Sequence, residues 1–257
     1  KAEMWRLPAL FVGQYAERDA EATLKLWQRL SIEIRNQELT EVFNLETDLF
    51  PCLVDMRFKG VRVDLEKAAF IKKDLMAREA KIISKIKNLT GLEVEIHAAR
   101  SIAKAFDKLK LPYDRTAKSN EPSFTKNFLQ NHPHELATCI ADAREINKAH
   151  TTFIDSITKH AHKGRIHADI NQIRSDQGGT VTGRFSMSNP NLQQIPARHP
   201  EIGPMIRSIF IPEEKHKWGC FDYSQQEPRI LVHYAKLQNL EGVDEIVDAY
   251  NAGDADF

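Results

Sequence analysis

The chain has 257 residues, more than one compact domain usually holds, so two or three structural units are expected. Lysine and arginine total 36, and aspartate and glutamate also total 36; the formal net charge is zero, which excludes a global field for an anionic partner and leaves any nucleic-acid surface to a local patch. Cys52, Cys139 and Cys220 lack CxxC or CxxH spacing, which argues against a disulfide framework and a zinc site and fits a reducing, intracellular compartment.

No window approaches about 18 consecutive apolar residues, so no membrane partner is expected. The sequence starts without methionine and stops at "AGDADF" without a cap, so a stretch of a longer protein is expected.

From Tyr15 to about Gln37, Ala20, Leu24, Trp27, Leu30 and Ile34 recur at spacings of three and four, which predicts an amphipathic helix with that stripe inward. A second helix is predicted from Glu38 to Lys59, with Leu39, Val42, Phe43, Leu49, Leu53 and Met56 inward. Gly60 ends it, and "VRVD" alternates as a short strand. Asp64 is placed to cap a third, long helix that buries Ala68, Ile71, Leu75, Ile82, Ile86 and Leu89 and closes at Gly91. Its other face carries Lys67, Lys72, Lys73, Arg78, Lys81, Lys85 and Lys87, which reads either as solvated surface or as a local patch for phosphates.

The stretch from Leu111 to Pro133 is rich in Pro, Ser, Thr and Asn and predicts loop with a short helix starting at Ser123. Helix resumes near Glu135. After Gly164, "RIHADINQI" alternates as a strand, "SDQGGTVTGRFSMSNPNLQQIP" is a long polar loop, "IRSIFIPEE" and "KWGCFDYS" read as strands, and "RILVHYAKL" as helix. The class is α+β with a helical front.

Asp222 stands at the end of the last of these strands. A carboxylate there can hold a divalent cation against phosphate oxygens, or it can accept hydrogen bonds from the next turn. Glu227 completes an S-x-x-E capping box with Ser224, while Pro228 favours Glu227 itself as the cap; both registers are open. In "TVTGRFSMSNPNLQQIPAR", Arg184, Asn189, Asn191, Gln193, Gln194 and Arg198 offer donors suited to phosphates and minor-groove acceptors. Val243, Asp244 and Glu245 lie on an amphipathic helix and read as surface. His160, His162 and His167 lack metal-ligand spacing.

"DYSQQEPRILVHYA" resembles the first palm motif of A-family DNA polymerases of the bacterial DNA polymerase I type, with a bacteriophage source open, and "TVTGRFSMSNPNLQQIPAR" resembles the same family's TGR…PNLQ segment. "YAERDAEATLKLW" is similar to the last motif of the family's 3′-5′ exonuclease domain, with Tyr15 and Asp19 in the matching positions.

The resemblance implies a fold made of a helical thumb and the start of an antiparallel-sheet palm, preceded by the C-terminal helix of an exonuclease domain. Its boundaries are 1–38 for the exonuclease tail, 39–63 for a connection, 64–165 for the thumb and 166–257 for the first part of the palm, ending before or at the fingers. Template-directed DNA synthesis on primer-template DNA with dNTPs is the implied activity, with two Mg²⁺ ions, or Mn²⁺ in their place. A processivity factor or a second polymerase segment is the further partner in view.

Asp222 and the Tyr223 carbonyl are implied as catalytic metal ligands, and Ser224, Gln225 and Glu227 as nucleotide-binding, with Glu227 against the sugar. Arg144, Lys148, Arg184, Asn191, Gln193, Gln194, Arg198 and Arg229 are implied at the DNA. Gln226 and Pro228 depart from the apolar residues usual at their places, and neither a fingers motif nor a second carboxylate motif is found. The alternatives are a non-catalytic DNA-binding part of a split polymerase and a protein acting mainly as a 3′-5′ exonuclease.

Overall fold

A computed structural model describes residues 3–175, 178–197 and 199–253. The chain forms two compact units, Lys1–Ile211 and Pro212–Phe257. Both are helix-rich, and the first also carries small antiparallel sheets, so the class is α+β. No helix among the described residues is long and apolar enough to cross a membrane.

The first unit opens with α1 (Ala9–Asn36) and α2 (Thr40–Lys59). Trp27 stacks on Phe43 with ring centroids 5.4 Å apart. The expected inward stripe is not covered: Leu24, Trp27 and Leu30 are exposed, as are Leu39, Val42 and Met56, and in α2 only Leu53 is fully buried. Helical periodicity marks an apolar face, and burial needs a second surface to meet it; no described element supplies one along most of this face.

Gly60 turns the chain with φ 62° into β1 (Val61–Arg62). Asp64 then caps α3 (Leu65–Thr90) by accepting from the Lys67 amide at 2.8 Å, and Gly91 ends it in the left-handed conformation. Next come α4 (Ala99–Lys108), the hairpin of β2 (Asp114–Arg115) and β3 (Pro122–Ser123), and α5 (Lys126–Asn131). The segment expected as loop is thus ordered, and the helix cap is Thr125 rather than Ser123, its hydroxyl receiving the Phe128 amide at 3.2 Å.

A long helical rod follows: α6 (Glu135–Lys148), a π-helical stretch from Ala149 to Ile154, and α7 (Asp155–His160). β4 (Ala161–His162) and β5 (Arg165–Ile166) form a hairpin whose two-residue turn, Lys163 and Gly164, has φ 49° and 74°, the mirror-image turn that matches strand twist. With β1 they make a sheet in the order β1-β5-β4.

"RIHADINQI" is therefore two strands in two sheets: β5, and β6 (Asp169–Asn171), which pairs antiparallel with β7 (Ser186–Ser188). The long polar loop contains β7 and a 3-10 turn from Leu192 to Gln194. α8 (Ile202–Arg207) corrects part of the next expected strand. Ile202, Ile206 and Ile209 are spaced four and three, the helical period, and all three are buried; of "IRSIFIPEE" only Phe210 bridges, to Val63.

Two apolar cores lie along α3. Ile86 joins Ile102, Phe106, Phe124, Leu129, Leu136 and Ile140. Ala68, Ile71 and Leu75 join Ala149, Ile154, Ile157, Ile166, Ile206 and Ile209. Early α3 thus meets late rod and late α3 meets early rod, an antiparallel pair.

In the second unit, α9 (Gln226–Leu237) and α10 (Val243–Ala252) pack together. Residues 217–223 form no strand, against expectation. A strand exists only where a neighbouring segment supplies the hydrogen-bond ladder, and none of the described residues does so there. Val243, expected as surface, is buried.

Candidate nucleic-acid interface

The TGR…PNLQ segment is a closed frame built on β6 and β7. Asp169 pairs with Ser188, Ile170 with Met187 and Asn171 with Ser186. The Asn171 amide reaches the Ser186 and Ser188 hydroxyls, each at 3.3 Å. Asn189, at φ 54°, turns the chain before Pro190, and the Asn191 side chain accepts the Gln193 amide at 3.1 Å to start the 3-10 turn. Gln193 straps the turn back onto the hairpin: its Oε1 accepts from the Met187 amide at 3.1 Å and its Nε2 donates to the Phe185 carbonyl at 2.9 Å.

Asn191 and Gln193, expected at the duplex, thus hold the frame's own shape. Arg184 and Gln194 are exposed on it. Thr180 Oγ1 donates to the Arg184 carbonyl at 2.6 Å, fixing the backbone that carries the guanidinium. Arg198 lies outside the described residues.

Beside this frame, a groove of about 490 Å³ runs along α6. Arg144, Lys148 and Phe153 line it from the rod, Gln194 from the 3-10 turn and Pro196 from just after it, and Asp142, Glu145 and His199 add polar groups. Arg144 is half-buried: Nε donates to the Ile96 carbonyl at 2.6 Å and Nη1 to the Phe124 carbonyl at 2.7 Å. Burial pulls its pKa below the ordinary arginine value. Its donors therefore serve the fold, tying α6 to two loops, while Lys148 is exposed with its ammonium 5.8 Å from the Phe153 ring centroid.

Sequence reasoning missed Asp142, Glu145 and His199. The His199 Nδ1 accepts from the Glu201 and Ile202 amides at 3.1 and 2.8 Å, so a neutral ring carries its proton on Nε2, which faces Glu145 at 3.4 Å. Asp142 is exposed at the edge of the groove, and partial desolvation there, then Glu145, push it above the usual carboxylate range. The groove is thus cationic at Arg144 and Lys148 and anionic along Asp142 and Glu145. A histidine three residues before a helix start was the available signal for His199; the two acids follow only from where α6 faces.

The lysine-rich face of α3 divides. Lys72 pairs with Asp155 at 2.5 Å, Lys85 with Glu135 at 2.5 Å, Lys87 with Glu93 at 2.8 Å, and Arg78 with both Asp74 and Glu201. Lys67, Lys73 and Lys81 remain exposed. On α1, Tyr15 and Asp19 sit one turn apart and exposed, outside the groove. His160 Nδ1 lies 2.8 Å from the Ser156 carbonyl and His167 Nδ1 2.8 Å from the Arg57 carbonyl.

In the second unit, Asp222, Tyr223 and Ser224 are exposed in the stretch before α9. Gln225, at φ 51°, takes the cap position without a side-chain cap bond, so neither expected register forms: Glu227 is in the first turn and Pro228 follows it there. Proline is tolerated because first-turn amides have no intrahelical acceptor. Arg229 anchors the helix start, its Nε donating to the Ser224 carbonyl at 3.0 Å and its guanidinium stacking 4.7 Å over the Tyr250 ring. Asp222 and the Tyr223 carbonyl are hard oxygen donors, the kind Mg²⁺ takes one or two of when phosphates complete its shell. No cluster of three His, Cys, Asp or Glu among the described residues is arranged to hold a metal.

The sequence model of a family described as DNA polymerase family A matches residues 66–253. A DNA-directed DNA polymerase of Pseudomonas phage M6 is 37% identical over 99% of this chain and 40% of its own length. DNA polymerase DpoZ of Acinetobacter phage SH-Ab 15497 is 35% identical over 95% of this chain and 41% of its own length. Among solved structures, the POL domain of Pol1 from M. smegmatis, in complex with DNA primer-template and dNTP, aligns with a TM-score of 0.60 at 25% identity, covering 72% of this chain and 32% of that one. The chain thus spans about two fifths of the length of these phage relatives.

Proposed function

The chain belongs to DNA polymerase family A, and from that premise we propose that it is part of a template-directed DNA polymerase that extends a primer 3′-hydroxyl with dNTPs. What carries the reading is the groove: Arg144 and Lys148 on the rod and Gln194 in the PNLQ turn, distant in sequence and each expected at the DNA, line one surface.

In this reading residues 64–165 are the thumb and 166–257 the first part of the palm, after a connection at 39–63 and the tail of a 3′-5′ exonuclease domain at 1–38. Lys148, with Lys67, Lys73 and Lys81, gives the phosphate backbone exposed cations in a chain of zero net charge. Arg184 reaches the minor groove at the primer terminus, on a frame that Asn191 and Gln193 keep in shape. Gln194 faces the duplex from the same turn.

Asp222 and the Tyr223 carbonyl are the chain's donors for Mg²⁺, with Mn²⁺ as a substitute; when bound, a pair of such ions supplies charge stabilisation at the attacking hydroxyl and the leaving pyrophosphate. Ser224 and Gln225 border the nucleotide, and Glu227 lies against its sugar, where a 2′-hydroxyl would collide. Arg229 holds the α9 entry that presents both carboxylates. Tyr15 and Asp19 serve the exonuclease. An intracellular setting, and a processivity factor or further polymerase segment as partner, belong to the same reading.

The test is primer extension by the full-length protein. Wild type extends a recessed 3′ end with dNTPs and Mg²⁺, and Asp222→Asn loses more than about 10²-fold in rate with duplex affinity nearly unchanged. Undiminished extension by Asp222→Asn sinks the assignment.

A further inference from the structure

One carboxylate joins three elements of the first unit. Asp169, on β6, accepts the Asn189 side-chain amide on Oδ2 at 2.9 Å. Its Oδ1 receives Arg57 of α2, from Nε at 2.8 Å and Nη2 at 2.7 Å. Asn189 is the turn residue between β7 and the 3-10 segment, in the left-handed conformation at φ 54°. Asp169 thereby ties the turn of the frame that carries Arg184, Asn191, Gln193 and Gln194 to α2.

We propose that Asp169 is a positioning residue for primer-terminus reading: by holding Asn189 against Arg57 it sets where the TGR…PNLQ frame stands relative to α2. The inference rests on the polymerase reading above.

Three observations support it. The ion pair is open to solvent, with Asp169 36% and Arg57 54% exposed, and pairs that exposed add little to stability; its geometry is the feature left to explain. Asn189 and Arg57 together hold the Asp169 carboxyl below the usual carboxylate range, so it stays an acceptor for both partners across neutral pH. A second tie, the Gln172 side chain donating to the Glu46 carbonyl at 2.7 Å, fastens the other end of β6 to α2. With this tie gone, the Gln172 bond and the packing of Leu192 and Ile195 on the second core keep the frame attached while its turn loses its hold on α2, a change of aim rather than of fold.

The experiment measures single-turnover extension from matched and mismatched primer termini by the full-length protein. Asp169→Ala is expected to lower the matched-to-mismatched rate ratio about tenfold, below the roughly 10²-fold that a 1 Å displacement of reacting groups can cost. Asn189→Gly, which removes the amide while glycine keeps the left-handed turn, gives the same loss even where Asp169→Ala folds poorly. The double variant loses no more than either single one, because both break one contact.

A merely structural role would lower the active fraction and leave the ratio alone; an unchanged ratio in both single variants overturns the inference. A wild-type protein that extends no primer overturns the polymerase reading and this inference with it. Normal wild-type extension with an unchanged ratio overturns this inference only.

Discussion

Glu79 on α3 and His150 in the π-helical stretch meet with Oε2 and Nε2 2.5 Å apart, the histidine side chain 7% and the glutamate 17% exposed. The other Glu79 oxygen accepts the Asn147 amide at 2.9 Å, and Asn147 in turn meets His97 Nε2 at 3.1 Å. Along α3, Glu79 falls between Leu75 of one core and Ile82, which packs against the other, so this chain of contacts is a polar layer dividing them.

Removing one member of a buried pair leaves its partner unmatched. Glu79→Ala, which leaves the buried His150 ring and the Asn147 amide without their acceptor, is expected to destabilise the protein by about 2 kcal/mol, read as a shift in urea midpoint. A midpoint unchanged from wild type would show that the layer contributes nothing to holding α3 against the rod.

Arg144 makes two charge-assisted bonds to loop carbonyls. Arg144→Ala is expected to cost about 2–3 kcal/mol in stability, measured by thermal or urea unfolding. Reduced duplex affinity with stability intact would instead put the working end of the side chain at the DNA.

Asp142 and Asp169 respond to pH with opposite sign. Partial desolvation in the groove and Glu145 raise the Asp142 pKa, so between about pH 4 and that raised value the folded chain holds a proton the unfolded chain lacks. Its contribution is complete below about pH 4 and lost as pH rises through the raised value. Asp169, lowered by Asn189 and Arg57, contributes fully above about pH 4 and loses that as pH falls through its lowered value. Asp142→Asn should therefore stabilise the protein near neutrality, with the gain vanishing in acid; urea midpoints across the acidic and neutral range check it, and a gain that persists in acid would refute the cause given.

Gly60 has φ 62°, and a Cβ there would stand 2.6 Å from the Ile166 carbonyl oxygen and 2.7 Å from the His167 ring. Gly60→Ala is expected to cost about 2–3 kcal/mol through strain and displacement of β5. Circular dichroism melting measures it, and a neutral result would mean that the turn relaxes without cost.

Features written into neighbouring residues were legible in the sequence. Asp64 and Gly91 bound α3 because cap chemistry is local, and Gly60 ends α2 for the same reason. Features that need a distant partner were not. The stripe on α1 is exposed at Leu24, Trp27 and Leu30, because periodicity names a face and not what covers it. Residues 217–223 have strand composition but no ladder partner among the described residues. The two motifs were legible, yet the work of Gln193 inside its own frame was not, since Met187 and Phe185 become its partners only once β7 has turned back. The acids of the groove depended on the facing of α6 against a segment some fifty residues on.

The π-helical stretch gave no local sign either. Within it the chain takes more residues per turn than the α-helix on either side, and across it Ala149, His150 and Ile154 face inward while Lys148 and Phe153 line the groove. The rod therefore keeps two phases in one continuous helix. In an ideal helix each residue advances about 100°, so gaining or losing one residue in this stretch would swing α7, and the sheet that follows it, out of register with α3. Residue count between Lys148 and Asp155 is a specification in its own right: side chains there can be exchanged one for another far more readily than the spacing can change.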